Sequence, residues 1–408
     1  MFENLNDVFS SAAYKYLSAV DADPRTSNQH EIGGLVSAGI GRELGMPGDG
    51  SQISIPCSMV YLSDEEEEPI ICEDVVTWYD ARFTSPNRRP EWRLYYKSNQ
   101  VSDRFRPGDF FLIARTIEGS LLLIFCPPET EYELQITALF GVRQTQGNRF
   151  TSVNLESPIA VPIRLIFARY GIDLGVSGQD YLDRILERFG ERFPKTREFS
   201  EFCRSLSETV CSIENPDSAL ITWMETEESA FRQLERYIVR QKLINGFGDS
   251  GDDVDDFIRF SLSVQNRRKS RSGHAFENHI EEILRACCIE FERGAKTENR
   301  KKPDFLFPCS AAYSDTNYPS ENLFLLGAKT TCKDRWRQVL AEANRITHKH
   351  LITLEPAISI SQTDEMRSQN LQLVVPQQLH NTYQEEQRQW LMSLGDFIRR
   401  VESVQRYN

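Results

Sequence analysis

An aspartate and a lysine in the second half of the chain have the spacing and context of a pair that could hydrolyse phosphodiesters. Asp304 follows Pro303 at the head of an apolar run, and Lys329 follows a second apolar run 25 residues later. If the two runs are adjacent strands, a carboxylate and an ammonium meet at their ends. The carboxylate could hold Mg²⁺ against a phosphate, and the ammonium could stabilise developing charge or orient a water molecule.

The second acid expected for such a site is not in its common place. Gly327 stands two residues before Lys329, where an acid usually lies, and Glu342 follows Lys329 by 13 residues. We predict a helix over residues 334–346 and place Glu342 on it as the replacement acid. Asp304 and Glu342 would then be the metal ligands.

The first turn of that predicted helix carries groups that can read DNA bases. Lysine and arginine can donate to the acceptors of guanine, and aspartate can accept from the amino group of cytosine. The alternative is an ordinary charged surface on an amphipathic helix. The candidates are Lys333, Asp334 and Arg335.

Two further segments concentrate positive charge in a chain that is acidic overall. Residues 266–271 hold four bases and no acid, which suits contacts to DNA phosphates by Arg267, Arg268, Lys269 and Arg271. Residues 82–106 hold seven bases interleaved with aromatic side chains, a second candidate DNA face. An ordinary β-domain surface is the alternative for this second segment.

The pattern of apolar residues changes near the middle of the chain, which predicts two domains. Short apolar runs separated by turn residues predict strands at 54–62, 109–117, 120–125, 131–139 and 159–166, typical of a small barrel or sandwich. Helical periodicity follows at 180–189, 198–211, 225–244, 253–264 and 275–288, and then strands alternate with helices. We expect a mainly-β domain over 1–172, a linker over 173–182 and an α/β domain over 183–408.

Composition restricts the classes of protein to which the chain could belong. Lys and Arg total 47 against 60 Asp and Glu, so the net charge is −13 and any polyanion must be met by local patches. No apolar run is long enough to cross a bilayer, and the N-terminus lacks the pattern of a signal peptide. We expect a cytoplasmic protein without a membrane partner.

Four blocks of the second half resemble the EcoRII-type restriction endonucleases. They are residues 266–273, 299–308, 328–338 and 373–376, within a similarity that runs from about residue 192 to 397. The resemblance implies a restriction-endonuclease-like PD-(D/E)XK core of the variant with a displaced second acid, which accounts for Gly327. It implies catalytic roles for Asp304, Lys329 and Glu342, and it adds Glu277 as a further metal-site acid.

The first half resembles the N-terminal effector domain of the same family through residues 27–33 and 78–83. In that family the domain is a DNA-binding pseudobarrel that binds a second copy of the recognition site. The resemblance implies effector-DNA contacts by His30, Arg82, Arg88, Arg89 and Arg93.

The working hypothesis is a homodimeric, Mg²⁺-dependent Type II restriction endonuclease that cuts double-stranded DNA at a CC…GG site. The family implies a companion DNA methyltransferase. A sequence-specific regulator that has lost cleavage is the main alternative, and a structure-directed repair nuclease is a third. Intact Asp304, Lys329 and Glu342 argue against the regulator.

Overall fold

The computed structural model of the 408-residue chain describes most of the sequence. The described residues are 4–22, 30–66, 68–85, 87–142, 147–156, 162–174, 180–207, 210–248, 251–332 and 335–406, without the side chains of residues 269 and 299. They form two compact units. The N-terminal unit comprises residues 2–174 with 356–359, and the C-terminal unit comprises 175–355 with 360–408.

The described part of the N-terminal unit is built on an eight-stranded sheet with the order β2-β5-β4-β3-β7-β6-β1-β8. All neighbouring strands are antiparallel except the parallel pair β3 and β7. The strands are β1 (Phe9–Tyr16), β2 (Glu31–Gly33), β3 (Ile53–Tyr61), β4 (Ile70–Asp80), β5 (Trp92–Tyr95), β6 (Phe110–Thr116), β7 (Leu121–Cys126) and β8 (Thr151–Ser152).

This sheet curls so that its two edges approach one another. Gly34, directly after β2, lies so close to Phe150, directly before β8, that a Cβ on the glycine would be 3.4 Å from the ring. The Ser152 hydroxyl donates to the carbonyl of Ala38 at 2.8 Å. Phe111 of β6 fills the interior and stacks on Phe125 of β7 at 4.6 Å between ring centroids. A curled sheet around one apolar core forms a half-barrel, which agrees with the pseudobarrel implied by the resemblance.

Two predicted strands of this unit are helices. The helices here are α1 (Ala19–Ala22), α2 (Ile40–Glu43), α3 (Glu131–Leu139) and α4 (Ile163–Arg169). The prediction of a strand at 131–139 was wrong because Thr130 caps a helix, its hydroxyl accepting from the backbone N–H of Glu133 at 3.3 Å. The predicted strand at 159–166 was also wrong where it is described, since α4 begins there after Pro162.

The C-terminal unit begins with helices that pack on one another. The long α7 and α8 form an antiparallel pair, and α8 joins two helices that were predicted separately. The helices of the unit are α5 (Leu182–Phe189), α6 (Thr196–Ser205), α7 (Pro216–Asn245), α8 (Val254–Ala286), α9 (Ser310–Ser314), α10 (Trp336–Leu340), α11 (Ile360–Ser368), α12 (Glu385–Arg388) and α13 (Leu394–Gln405).

A five-stranded mixed sheet forms the rest of the described C-terminal unit, in the order β13-β12-β11-β10-β9. β11, β12 and β13 run parallel, whereas β10 is antiparallel to both β9 and β11. The strands are β9 (Glu292–Arg293), β10 (Phe305–Phe307), β11 (Phe324–Ala328), β12 (Lys349–Ile352) and β13 (Leu371–Val374). Among the described residues, no helix has the length and apolar character needed to span a membrane.

Candidate active site

The antiparallel pairing of β10 and β11 brings Asp304 and Lys329 together. Phe305 lies opposite Leu326, so the residue before β10 and the residue after β11 share one edge of the sheet. The Lys329 ammonium donates to Asp304 Oδ2 at 2.7 Å, and the backbone N–H of Ala328 donates to the same oxygen at 2.7 Å. The structure therefore brings Asp304 and Lys329 together, as the sequence predicted.

Gly327 is the point at which the following helix touches the sheet. A Cβ at Gly327 would lie 2.7 Å from Cγ2 of Val339 on α10, closer than such atoms approach in proteins. Val339 and Trp336 are both fully buried and fix α10 against β11. A side chain of any kind at position 327, including the commonly expected acid, is thus incompatible with this packing.

Glu342 is not on a helix, which corrects the predicted helix over 334–346. α10 ends at Leu340, and the backbone N–H of Glu342 donates to the carbonyl of Val339 at 3.1 Å in a tight turn. Ala343 then takes a left-handed conformation with φ of 47°, which ends helical geometry. For the same reason, Arg335 and Glu342 do not lie on one helix face.

The turn carries the Glu342 carboxylate into the neighbourhood of Asp304. Burial, followed by repulsion from Asp304, raises the pKa of Glu342 to about 7, although Lys329, Lys301 and Lys349 act in the opposite direction. Oε2 of Glu342 is buried and has no hydrogen-bond partner within the described part of the chain. A desolvated carboxylate oxygen beside a second acid is a feature of sites that bind cations.

These two carboxylates fit a magnesium ion better than a metal that needs a full set of protein ligands. Mg²⁺ is commonly held by one or two carboxylates, with water and substrate phosphate completing its shell. In the residues that the structure describes, no group of three or more His, Cys, Asp or Glu side chains is placed to hold a metal. The buried, unpaired oxygen of Glu342 is the observation that favours a cation there.

Glu277, which the resemblance implies as a further metal-site acid, forms an ion pair with an arginine. It lies on α8 and accepts from Arg293 Nη2 of β9 at 2.6 Å. Arg293 also donates to Glu281 at 2.6 Å. In this conformation Glu277 belongs to an ion-pair network between α8 and β9.

The candidate base-reading residues are only partly described. Lys333 and Asp334 lie outside the described residues. Arg335 immediately precedes α10, and its backbone N–H donates to the carbonyl of Cys332 at 2.7 Å. Its side chain is exposed and available to a partner.

The basic segment of α8 packs largely against protein. Arg271, predicted to contact phosphate, is buried and paired with Glu228, and it lies 3.6 Å from Glu227. Arg268 is half exposed and donates to Glu235 at 2.7 Å. The guanidinium of Arg267 stacks 4.4 Å from the Phe193 ring. The Lys269 side chain lies outside the described residues.

In the N-terminal unit, two of the implied effector residues are held in ion pairs. Arg93 on β5 donates to Glu31 at 2.5 Å and to Glu91 at 2.6 Å, and Arg82 also pairs with Glu91. These contacts fix the loop between β4 and β5.

The other implied effector residues lie at the surface of that unit. Arg88 and Arg89 are exposed in the same loop. His30 precedes β2, with Nε2 3.3 Å from the Ser98 hydroxyl and its ring 5.3 Å from that of Tyr96. Arg88 and Arg89 are therefore the arginines of this set that are most open to a polyanion.

Sequence reasoning missed the residues that surround Glu342. Lys349 begins β12 and is buried beside the acid, and desolvation lowers its pKa. A lysine next to the apolar residues of β12 was the available signal. Lys301 was not among the predicted site residues, yet its charge acts on Glu342.

A mixed sheet that places an aspartate and a lysine at adjacent strand ends, with an acid supplied from beyond the next helix, defines a PD-(D/E)XK type of core. Comparison with known proteins agrees with this class. Residues 231–398 match the family described as EcoRII C terminal. This match lies within the region where the sequence resembles that family, so the predicted resemblance is confirmed there.

Two similar proteins are both named Type II restriction enzymes. The chain is 44% identical over 208 residues to the Type II restriction enzyme EcoRII of Escherichia coli, covering 51% of this chain and 50% of that protein. It is 31% identical over 109 residues to the Type II restriction enzyme SsoII of Shigella sonnei, covering 24% of this chain and 35% of that protein. The chain thus spans half or less of the length of the relatives it matches.

Solved structures are more distant. Metal-depleted Ecl18kI in complex with uncleaved DNA has a TM-score of 0.45 and 20% identity, covering 55% of this chain and 83% of that one. The complex of restriction endonuclease PspGI with substrate DNA has a TM-score of 0.44 and 16% identity, covering 53% and 95%. These similarities are too weak to carry a conclusion. The two-unit fold class, mainly β followed by α/β with a restriction-endonuclease-like core, is confirmed by the strands described above and by the family match.

Proposed function

We propose that this protein is a Mg²⁺-dependent Type II restriction endonuclease that cuts double-stranded DNA at a short site beginning with CC and ending with GG. The observation that carries the proposal is the contact of Lys329 with Asp304 at 2.7 Å beside the unpaired Glu342 oxygen. That site lies in a region that matches the EcoRII C-terminal family.

Each residue of the site has a chemical task in this proposal. Asp304 and Glu342 hold Mg²⁺, which when bound polarises the phosphate and a water molecule. Lys329 places its ammonium where it orients the attacking water and offsets the charge that develops on the phosphate. Its bond to Asp304 keeps that ammonium in position. Glu277 joins the site only on release from Arg293.

Recognition is assigned to the turn before α10 and to the basic surface of α8. Lys333, Asp334 and Arg335 read the CC and GG bases, with Arg335 exposed for this role. Arg267, Arg268 and Lys269 contact phosphates, while the buried Arg271 is left out.

The proposed location, assembly and partners are those that the resemblance to the EcoRII-type family implies. We propose a cytoplasmic homodimer that acts beside a DNA methyltransferase, and an N-terminal unit that binds an activating second site through His30, Arg88 and Arg89, with Arg82 and Arg93 shaping the loop. Plasmids with two sites should then be cut faster than plasmids with one. Equal rates would remove the effector role.

The test is digestion of a well-mapped unmethylated DNA with Mg²⁺, followed by sequencing of the fragment ends. Wild type should give discrete ends at one CC…GG motif, and Lys329→Ala should give none while still binding the site. Lys242→Ala is the matched control. Lys242 pairs with Asp256 at a distance of 2.8 Å and is not part of the candidate site, so this variant should cut DNA normally.

Two other outcomes lead to different functions. Site-specific binding by folded wild type without cutting would favour the sequence-specific regulator. Cleavage that depends on DNA ends or flaps rather than on sequence would favour a repair nuclease.

A further inference from the structure

The turn that presents Glu342 is fastened to the rest of the C-terminal unit on both sides. Before it, the carbonyl of Leu340 accepts from the ammonium of Lys349 at 2.5 Å. After it, the backbone N–H of Asn344 donates to Oε2 of Glu298 at 3.4 Å. Glu342 and the left-handed Ala343 lie between these two attachments.

Arg345 makes the most extensive of these attachments. Its guanidinium donates to the carbonyls of Asp315 at 2.9 Å and Tyr318 at 2.8 Å, and it also binds the carbonyl of Tyr313. One side chain thus ties the turn to α9 and to the loop that follows it. The planar guanidinium suits this task, since its donors point in several fixed directions.

Tyr313 links this attachment to the one through Glu298. The backbone N–H of Arg345 donates to the Tyr313 hydroxyl at 3.2 Å, and that hydroxyl donates to Oε1 of Glu298 at 2.5 Å. The Arg345 guanidinium also lies 5.7 Å from the Tyr313 ring centroid. The contacts form a closed frame around the turn.

We propose that Arg345 is a positioning residue for Glu342, because it fixes the turn from which this carboxylate reaches the metal. The inference rests on the proposed role of Glu342 as a metal ligand. A residue in a short turn lacks the rigidity that a helix would give it, so the frame has to supply the positional accuracy. Without the Arg345 contacts the conformation of the turn is no longer fixed, so Glu342 is less accurately positioned and the metal affinity of the site falls.

The experiment uses the full chain with Arg345→Lys, which keeps the charge but cannot reach the separate carbonyls. Mn²⁺ binding to the protein alone is measured by electron paramagnetic resonance, and the Mg²⁺ concentration for half-maximal cleavage is measured separately. Loss of groups that orient metal ligands commonly lowers metal affinity roughly 10- to 100-fold, and both measurements should shift by that order. Cleavage at saturating Mg²⁺ should recover towards the wild-type rate.

The matched control is Arg406→Lys, the same change at an exposed arginine at the end of α13 that pairs with Glu402. Its Mn²⁺ affinity and Mg²⁺ requirement should equal those of wild type. If Arg345→Lys does not fold, Tyr313→Phe weakens the frame more gently and should raise both metal requirements a few-fold.

The outcomes separate this inference from the proposed function. Wild-type Mn²⁺ affinity in the folded Arg345→Lys or Tyr313→Phe protein would overturn the positioning role, whatever its cleavage rate. A wild type that binds Mn²⁺ but cuts no DNA would overturn the endonuclease while the Mn²⁺ comparison still decides the role of Arg345. A wild type that binds no Mn²⁺ would overturn the inference together with the ligand role of Glu342.

Discussion

Replacing Glu342 by glutamine should stabilise the metal-free protein at pH 8 and leave its stability nearly unchanged at pH 5. Burial and the charge of Asp304 raise the pKa of Glu342 from 4.5 to about 7, so the folded state holds this proton more tightly than the unfolded state. The stability that the protonated acid contributes is complete below pH 4.5 and is lost as the pH rises through 7.

The size of the effect follows from the two pKa values. Each unit of difference between the two pKa values corresponds to about 1.4 kcal/mol. This gives an upper bound of about 3 kcal/mol for the loss in the free energy of unfolding. The carboxylate is only partly buried, and solvent screening reduces the expected effect to about 1–2 kcal/mol. Glutamine has the same shape and no charge, so it removes this penalty.

The assay is urea unfolding of wild type and Glu342→Gln at pH 5 and pH 8, with EDTA present throughout. The free energy of unfolding is taken from the transition that the substitution shifts. The informative quantity is the difference in this free energy between the two proteins at pH 8 minus the same difference at pH 5. Glu321→Gln, at an exposed acid of the same unit, should give a value near zero. Equal pH dependence of Glu342→Gln and wild type would refute the reasoning about burial and repulsion.

Two further substitutions test the packing around the site. Gly327→Ala forces a Cβ to within 2.7 Å of a Val339 methyl group and should cost about 1–3 kcal/mol in urea unfolding, as overpacked cores do. Val339→Ala should recover part of that loss in the double variant, and strictly additive losses would contradict the contact. Arg271→Met removes one cation from the buried Glu227 and Glu228, which keep His279 and Arg232 as neighbours, and it should destabilise the protein by about 3 kcal/mol, the lower end of the range for a broken buried pair. A loss below about 1 kcal/mol would show that Arg271 is free for another task.

Local sequence patterns predicted three of the eight described N-terminal strands and the first long helices of the C-terminal unit, and one of their failures is explained by helix capping. The apolar runs at 54–62, 109–117 and 120–125 are β3, β6 and β7 with ends shifted by a residue or two. The run at 131–139 alternates polar and apolar residues as a strand can, but Thr130 supplies an N-cap and Glu131 and Glu133 favour the start of a helix. These capping residues are visible in the sequence, but a prediction from the periodicity of apolar residues alone does not take them into account.

The contact between Asp304 and Lys329 was predictable because it depends on strand ends, which local patterns mark well. Asp304 and Lys329 each stand beside a short apolar run, and adjacent pairing of those runs is enough to bring them together. The surroundings of Glu342 were not predictable in this way. They depend on Lys349 and Arg345, whose partners are backbone carbonyls of other segments and leave no mark in the local sequence.

The displaced acid and the missing side chain at position 327 are two consequences of one packing arrangement. Because Gly327 has no Cβ, Val339 can pack against β11, and the turn after α10 brings Glu342 close enough to Asp304 for their charges to interact. An acid at 327 would clash with Val339, so it could not simply be added to this site. Gly327→Glu should therefore fail to rescue Glu342→Ala unless Val339 is also reduced to glycine. In the proposed site, the second acid comes from a turn because the space beside the strand position is filled by the helix that precedes that turn.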